Sequence, residues 1–254
     1  MKLALIRQRY NPYGGAERFV ERALAALVAE GVEVDLITRN WEGAPAAGFR
    51  QITCDPPYSR LLGGRAARDR SFAEAAQALM AQGGYQITQS HERIPGCMIF
   101  RAGDGVHAAW LEHRARQLTA PARLAQRLSP YHRYVLGAER AMLEHPALAQ
   151  VICNSRLVAQ ELQDYYGLPA ARIALIYNGV DTAHFHPDRA AARRAAQRAR
   201  LGLDRHTPLL LLVGSGFERK GVPALLQAMV RMRRQDAQLV VVGADRKLAA
   251  MAQR

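Results

Sequence analysis

The feature that most constrains the fold of this chain is a strand, a glycine turn and a helix that follow one another at its start. Four apolar residues at 3–6 lead into a loop that contains Gly14 and Gly15. Beyond the loop, apolar residues recur at helical spacing over 19–28. An alternating strand at 32–38 then completes a βαβ unit, which predicts a parallel sheet.

The Gly14-Gly15 turn has two interpretations. Glycine lets a ligand approach the backbone, and the start of the following helix offers free N–H groups and a partial positive charge. The turn therefore suits a phosphate or another anion. The alternative is a tight connection between strand and helix that binds nothing, and this stretch alone leaves both open.

The opening pattern recurs near the other end of the chain. A strand at 209–213 leads into the loop Gly-Ser-Gly-Phe-Glu-Arg-Lys-Gly, a helix at 222–232 and a strand at 238–242. Arg219 and Lys220 precede that helix, so backbone donors, the helix dipole and two cations would converge on one anion. This convergence indicates phosphate binding more strongly than glycines alone.

A change in composition separates the two patterns. Residues 182–208 contain Pro187, an Ala/Arg-rich helix, Gly202 and Pro208, which is typical of a crossing between domains. We therefore predict an α/β fold with a Rossmann-like N-terminal domain at 1–181. A linker and the beginning of a second Rossmann-like domain occupy 182–254.

Net charge and cysteine content limit the possible partners. The formal net charge is +13, which favours anionic partners. Three widely spaced cysteines suggest neither a disulfide framework nor a thiolate metal site. The apolar runs are only of strand length, so any membrane contact is expected to be peripheral.

Two loops carry candidate side chains. A glycine-flanked turn at 102–105 displays Asp104, with His107 just beyond it, and the loop at 90–96 contains Glu92. Ligands of open α/β sheets bind at the carboxyl ends of strands, so the turn that displays Asp104 can share a crevice with the first glycine turn. In the alternative interpretation Asp104 only favours a solvated bend.

The stretch from Trp110 to Tyr134 is basic and amphipathic, and it is helical with breaks expected near Pro121 and Pro130. Glu112 is its only acidic residue, against five arginines at 114, 116, 123, 127 and 133. Such a stretch suggests docking on an acidic membrane surface. A core helix with a charged solvent face is the alternative.

Several nucleotide-binding motifs are absent. The sequence has no G-x-x-x-x-G-K-[ST] loop, and Arg219 occupies the third glycine position of a dinucleotide fingerprint that would begin at Gly214. It also has no Asp-x-Asp pair of the kind that holds a cation for a sugar nucleotide. A nicotinamide-dependent oxidoreductase is therefore a weak alternative.

The two Rossmann-like units, joined near 178–181, and the loop at 213–221 resemble the GT-B retaining glycosyltransferases of family 4. Within that family, the chain is similar to the bacterial lipopolysaccharide core glycosyltransferases of the glucosyltransferase I type. The likeness is carried by the opening at 7–15, the turn at 102–105, the region at 131–140 and the Arg-Lys-Gly at 219–221.

This resemblance implies transfer from a nucleoside-diphosphate sugar, such as a UDP-hexose, to a lipopolysaccharide core acceptor, with retention and without a metal or another cofactor. It implies that Arg219 and Lys220 neutralise the departing diphosphate and that Gly14 and Gly15 cap it. It makes Asp104 the catalytic residue beside the acceptor hydroxyl or the transferred sugar. Glu92 and His107 would lie nearby.

The resemblance also implies a place in the cell. The stretch that carries Trp110, Arg114, Arg116, Arg123 and Arg127 resembles the membrane-docking region of these enzymes. We therefore expect a cytoplasmic protein that is peripheral on the anionic inner face of the cytoplasmic membrane. Nucleic acid is not an expected partner, because the basic residues are dispersed and match no recognition motif.

Two departures from the family pattern matter. Ser215 stands where many members have arginine, so more would depend on Arg219. The chain also ends at Arg254, before the Glu-x7-Glu segment that grips the donor in these enzymes. We therefore expect a C-terminal truncation that is inactive alone. The alternative function is a non-catalytic basic module that docks on an anionic membrane.

Overall fold

The computed structural model describes residues 1–10, 15–41, 48–214, 216–218, 220–234 and 236–243. Its contacts divide the chain into two compact units, Met1–Gly179 and Val180–Arg254. Gly14 and Arg219, both predicted to bind the diphosphate, lie outside the described residues.

The first unit is built on a parallel sheet of seven strands. The strands of the unit are β1 (Lys2–Ile6), β2 (Arg9–Tyr10), β3 (Glu33–Thr38), β4 (Asn40–Trp41), β5 (Phe49–Thr53), β6 (Ile87–Ser90), β7 (Ile99–Ala102), β8 (Gln150–Cys153) and β9 (Ile173–Leu175). The order in the seven-stranded sheet is β5-β3-β1-β6-β7-β8-β9. Leu5 pairs with Leu36 on one side and with Gln89 on the other, so β1 is an interior strand. The two-residue strands β2 and β4 pair with each other in a separate sheet.

Several helices of this unit begin or end at proline or glycine residues. Pro121 falls in the first turn of its helix and Pro130 begins the next, which confirms the predicted breaks. Gly167 ends another helix in the left-handed conformation. The helices are α1 (Gly15–Ala29), α2 (Gly64–Gln82), α3 (His107–Ala115), α4 (Ala120–Leu128), α5 (Pro130–Leu143) and α6 (Arg156–Tyr166), followed by a 3-10 turn at Ala170–Arg172.

Both faces of the sheet are covered, which explains why β1 is an apolar run from Leu3 to Ile6. Leu5 packs on one face with residues of α1, and Ile6 packs on the other with residues of α2. Buried residues of α3, α5 and α6 form a third cluster over β7 and β8. Burying one such leucine or isoleucine stabilises the fold by about 1.5–3 kcal/mol.

The second unit contains α7 (Pro187–Arg200), β10 (Leu209–Val213), α8 (Val222–Arg231) and β11 (Gln238–Val242). The strands β10 and β11 pair in parallel, with Leu209 opposite Gln238. Arg198 is buried and donates to the carbonyl of Asp204 from Nε at 2.8 Å, which ties α7 to the turn that follows it.

Two further observations concern the residues that the structure describes in both units. Within the described ranges, no helix is both long enough and apolar enough to cross a bilayer. Cys54, Cys97 and Cys153 are buried and free.

Candidate functional site

The strand order places a crevice beside β1. The chain builds β3 and β5 on one side of β1 and then crosses to build β6 and β7 on the other. At such a switch point the loops after neighbouring strands diverge, and ligands of open α/β sheets bind there. The loops that follow β1, β6 and β7 carry Arg7, Gln8, Glu92 and Asp104.

Glu92 joins the loop after β6 to the loop after β1. Its Oε1 accepts a hydrogen bond from the backbone N of Gln8 at 3.0 Å and lies 3.4 Å from an Arg7 guanidinium nitrogen. Burial raises the pKa of Glu92, and the charge of Asp104 adds to that rise while Arg7 and the Gln8 amide oppose it. Two interacting carboxyl groups therefore lie at the switch point.

A cavity of about 190 Å³ opens between these loops and the helices α2 and α5. Glu92 and Asp104, both predicted as site residues, line it together. Asp69 also lines it, accepts from Gln8 Nε2 at 3.2 Å and pairs with Arg68 at 2.7 Å. The remaining lining residues are Phe72, Ala73, Arg93, Ile94, Tyr131, Tyr134, Val135 and Ala138.

A buried carboxylate organises one wall of this cavity. Glu139 of α5 is 2% exposed and accepts from Arg93 Nε at 2.8 Å and from the Tyr166 hydroxyl at 2.6 Å. It also accepts from the backbone N of His107, the first residue of α3, at 3.0 and 3.1 Å. Four segments of the chain therefore meet at one side chain.

His107, predicted to lie near the acceptor, is positioned differently from Glu92 and Asp104. The lining residues of the cavity do not include it, and its Nε2 lies 3.2 Å from His132 Nδ1. Its ring stacks on Trp110 with 5.5 Å between centroids. Burial lowers the pKa of His107 to about 4, and the charge of Arg93 adds to the effect, so the ring is neutral at neutral pH.

A buried cation, which the sequence did not indicate as a site residue, lies against α1. Arg101 is 3% exposed, its guanidinium lies 3.5 Å from the centre of the Phe19 ring, and it donates to Asn178 Oδ1 at 2.5 Å. Burial lowers the pKa of Arg101, and Arg7 contributes to the shift. Burial, together with Arg7 and Arg101, lowers the pKa of His91 to about 3.

The buried His91 predicts a specific loss of stability in mild acid. The unfolded chain takes up a proton at this residue below about pH 6.5, whereas the folded chain does not until about pH 3. Protonation therefore favours unfolding, by about 2 kcal/mol at pH 5. In urea titrations at pH 7 and pH 5, His91→Gln should shrink the difference in unfolding free energy by about that amount.

His113→Gln, which changes an exposed histidine of α3, is the matched control and should leave the difference as it is in the unsubstituted protein. Equal differences in the His91→Gln variant and the unsubstituted protein would mean that His91 accepts a proton in the folded state.

The predicted docking stretch presents much of its charge to solvent. Arg116, Arg123 and Arg127 are exposed, as is Trp110, whereas Arg114 donates to Gln126 Oε1 at 2.9 Å. Gln126, the one buried residue among those of α4, donates in turn to the carbonyl of Leu111 at 2.9 Å. This polar link holds α4 against α3 while the other sides of α4 face outward.

In the second unit, Lys220 lies over the glycine loop between β10 and α8. A Cβ placed on Gly214 would come within 3.1 Å of Lys220 Cε, so the lysine chain runs along that backbone. Gly221 follows in the left-handed conformation and precedes the first residue of α8. In the first unit, Gly15 is the first residue of α1, where helix N–H groups lack intrahelical partners.

Glu139 was not predicted as a site residue, although its position in the sequence of α5 indicates that it is buried. Glu139 shares the buried face of α5 with Val135, Met142 and Leu143, at spacings of three and four residues. A buried carboxylate in an apolar stripe needs hydrogen-bond donors, so the sequence could have predicted that several groups donate to Glu139.

In the part of the chain that the structure describes, no cluster of three or more His, Cys, Asp or Glu side chains could hold a metal ion.

Comparisons with known proteins agree with this architecture. Over 259 aligned positions the chain is 26% identical to lipopolysaccharide glucosyltransferase WaaG of Escherichia coli K12, covering all of the chain and 66% of that protein. It is 29% identical to D-inositol 3-phosphate glycosyltransferase of Streptosporangium roseum, covering 89% of the chain and 53% of the relative. The chain thus spans about half to two thirds of the curated relatives that it matches.

Solved structures identify the fold. A crystal structure of WaaG, a glycosyltransferase involved in lipopolysaccharide biosynthesis, superposes with a TM-score of 0.80 at 24% identity, covering 99% of this chain and 66% of that one. The prediction of an α/β GT-B fold is therefore confirmed. The model of Glycosyltransferase Family 4 matches residues 13–184, about two thirds of the chain. The chain therefore belongs to glycosyltransferase family 4.

Proposed function

We propose that the whole protein transfers a sugar, such as the hexose of a UDP-hexose, to a hydroxyl of a lipopolysaccharide core acceptor. In this proposal the anomeric configuration is retained and no metal is required. The observation that carries it is the cavity at the switch point, where Glu92 and Asp104 face arginines in a chain of family 4. The likeness to lipopolysaccharide glucosyltransferase WaaG supports the choice of acceptor.

The lining of the cavity suits a sugar. The carboxyl groups of Asp69, Glu92 and Asp104 can accept hydrogen bonds from hydroxyls, and Arg68 and Arg93 can donate to sugar oxygens. Its volume of about 190 Å³ is below the range of about 300–1,000 Å³ that is common for drug-sized ligands, which fits a single sugar ring.

Within this proposal, Asp104 accepts the proton of the acceptor hydroxyl. The oxygen of that hydroxyl bonds to the anomeric carbon on the face from which the diphosphate leaves, while the bond from that carbon to the diphosphate breaks, so the configuration is retained. Glu92 holds a neighbouring hydroxyl, and His107 supports the cavity wall through its backbone bond to Glu139. The exposure of Asp104 at the end of β7 supports its role, because a substrate can reach its carboxylate.

The donor diphosphate is assigned to the glycine loop of the second unit. Lys220 and Arg219 would neutralise the charge that develops on the leaving diphosphate. The position of Lys220 over Gly214, next to the start of α8, supports this assignment.

The proposal places the protein on the anionic inner face of the cytoplasmic membrane. Leu124 and Leu128 of α4 are exposed beside Arg123 and Arg127, so apolar and basic side chains occur together on one helix. Each basic residue near an anionic bilayer contributes about 1 kcal/mol. A non-catalytic docking module would share this surface, but membership of family 4 favours an enzyme.

A transfer assay tests the enzymatic proposal. The protein, in the longest form that its reading frame encodes, is incubated with a panel of nucleoside-diphosphate sugars and deacylated core acceptor. Mass spectrometry should detect one added sugar, and NMR should show that its anomeric configuration matches that of the donor. Activity should persist in EDTA. Absence of transfer with every donor would exclude the proposed activity, and an inverted linkage or loss in EDTA would exclude retention or metal independence.

A further inference from the structure

The loop between β5 and α2 exposes two adjacent leucines to solvent. Leu61 is 97% exposed and Leu62 is 83% exposed, more than any other large apolar residue of the described first unit. We call residues 58–63 the leucine loop. Contiguous exposed apolar surface is typical of sites that contact another protein or a membrane.

The leucine loop is a built turn. The backbone N of Leu62 donates to Ser59 Oγ at 2.9 Å, and the backbone N of Ala66 donates to the carbonyl of Gly63 at 3.0 Å. Gly63 has a φ of 109°, a conformation that other residues rarely adopt. The leucines therefore project from an ordered backbone, so that binding through them costs little additional entropy.

A buried arginine fixes the start of the leucine loop. Arg39 is 7% exposed, pairs with Asp55 and donates to the carbonyl of Pro56 at 2.9 Å. Its guanidinium also lies 5.2 Å from the centre of the Tyr58 ring. The segment that leads to the two leucines is thus tied to the interior of the first unit.

The helix α2, which follows the leucine loop, contacts the proposed docking stretch. The guanidinium of Arg65, in the first turn of α2, lies 4.3 Å from the centre of the Tyr131 ring and donates to its hydroxyl at 3.3 Å. Leu62 precedes Arg65 by three residues, and Leu128 of α4 precedes Tyr131 by three. Two exposed apolar segments therefore flank the same interaction.

Charge indicates what this combined surface meets. Residues 56–68 contain three arginines and no acidic residue, and the docking stretch 110–134 contains five arginines and one acidic residue, Glu112, which pairs with Arg116. Exposed leucines among arginines, with an excess of positive charge, complement a bilayer with anionic headgroups, where the leucines reach the acyl chains and the arginines stay at the phosphates.

We propose that the leucine loop is a second membrane contact, which inserts Leu61 and Leu62 into an anionic bilayer beside α4. This inference rests on the proposed docking of the stretch 110–134. Two separate contacts would fix the orientation of the first unit on the membrane, whereas one helix would leave it free to rotate. The acceptor cavity, lined by both α2 and α5, would then be held at one angle to the bilayer.

Vesicle flotation tests the second contact. The chain is mixed with phosphatidylcholine vesicles with and without phosphatidylglycerol, at low and high salt. The unsubstituted protein should float only with the anionic vesicles and less at high salt. The double substitution Leu61→Ser, Leu62→Ser should weaken vesicle binding by about a hundredfold or more, since two apolar side chains are lost from the contact. Leu157→Ser, at another exposed leucine, should bind like the unsubstituted protein.

A second arm separates the two proposals. If Arg123→Glu, Arg127→Glu abolishes flotation while the double leucine substitution leaves it unchanged, α4 docks and the leucine loop does not. If the unsubstituted protein fails to float with anionic vesicles, both proposals are wrong. If the leucine substitutions convert a dimer into a monomer in size-exclusion chromatography without weakening flotation, the loop contacts a second copy and the inference is overturned.

Fluorescence reports insertion directly. Leu62→Trp should add emission that shifts to the blue on anionic vesicles and is quenched by brominated acyl chains. Leu157→Trp should show neither change. Equal quenching of both tryptophans, or none of Leu62→Trp, would contradict insertion of the leucine loop.

Discussion

Replacing Glu139 with alanine should lower the free energy of unfolding by about 3–5 kcal/mol, the loss typical of a buried ion pair from which one partner is removed. The substitution leaves Arg93 without its carboxylate and the Tyr166 hydroxyl without its acceptor. It also removes the acceptor for the His107 amide at the start of α3. Urea denaturation followed by circular dichroism measures the change.

Two variants make the comparison specific. Glu144→Ala removes an exposed carboxylate just after the same helix, which pairs with Arg140 at 3.0 Å, and should change stability by no more than about 0.5 kcal/mol. Glu139→Gln keeps the shape and one acceptor oxygen but not the charge. Its loss of unfolding free energy should therefore lie between those of Glu144→Ala and Glu139→Ala. If Glu139→Ala were no more destabilising than Glu144→Ala, Arg93 would have to recover its hydration through the cavity.

The elements of this fold were predictable where local signals are dense. The strands at 209–213 and 238–242 were predicted with the bounds that the structure gives to β10 and β11. The helix between them, predicted at 222–232, begins at Val222 after the left-handed Gly221 and ends at Arg231. The pair formed by β2 and β4 was missed, because two residues are too few to show a period.

The candidate site was predictable only in part, for a physical reason. Asp104 and Glu92 follow strands of a parallel sheet, so the topology alone brings them to the same edge. The bond from Arg93 to Glu139 spans 46 residues and that from Arg101 to Asn178 spans 77. Such contacts depend on how α5 and the end of the first unit pack, which no local pattern specifies.

For His107, the sequence predicts where the backbone lies but not which side chain the ring contacts. The turn at 102–105 predicted that it would lie near the site, and its backbone does bind Glu139 beside the cavity. Its ring, however, pairs with His132, 25 residues further along the chain. The helix breaks at Pro121 and Pro130 turn the chain back, so a sequence reading that predicts the breaks still leaves the partner of the ring open.

Replacing Asp104 with asparagine should reduce kcat for sugar transfer by about 10²–10⁴-fold, the range typical of losing a group that assists proton movement at the reacting atoms. Asparagine keeps the size of the side chain but lacks the charge that attracts the hydroxyl proton. Because Asp104 is exposed, the fold should stay intact, and the KM for the donor should change little. Steady-state kinetics of the whole protein with core acceptor measures both.

Substitutions at two other carboxylates test whether Asp104 acts on the substrate directly. Asp164→Asn makes the same change at an exposed position of α6, where the side chain binds only Gln160 among the bonds described, and should leave kcat and KM unchanged. Asp69→Asn, in the same cavity but paired with Arg68, should raise the KM for the acceptor more than it lowers kcat. A loss at Asp69 as large as that at Asp104 would mean that the cavity binds the acceptor as a unit and that Asp104 has no separate role in the transfer step.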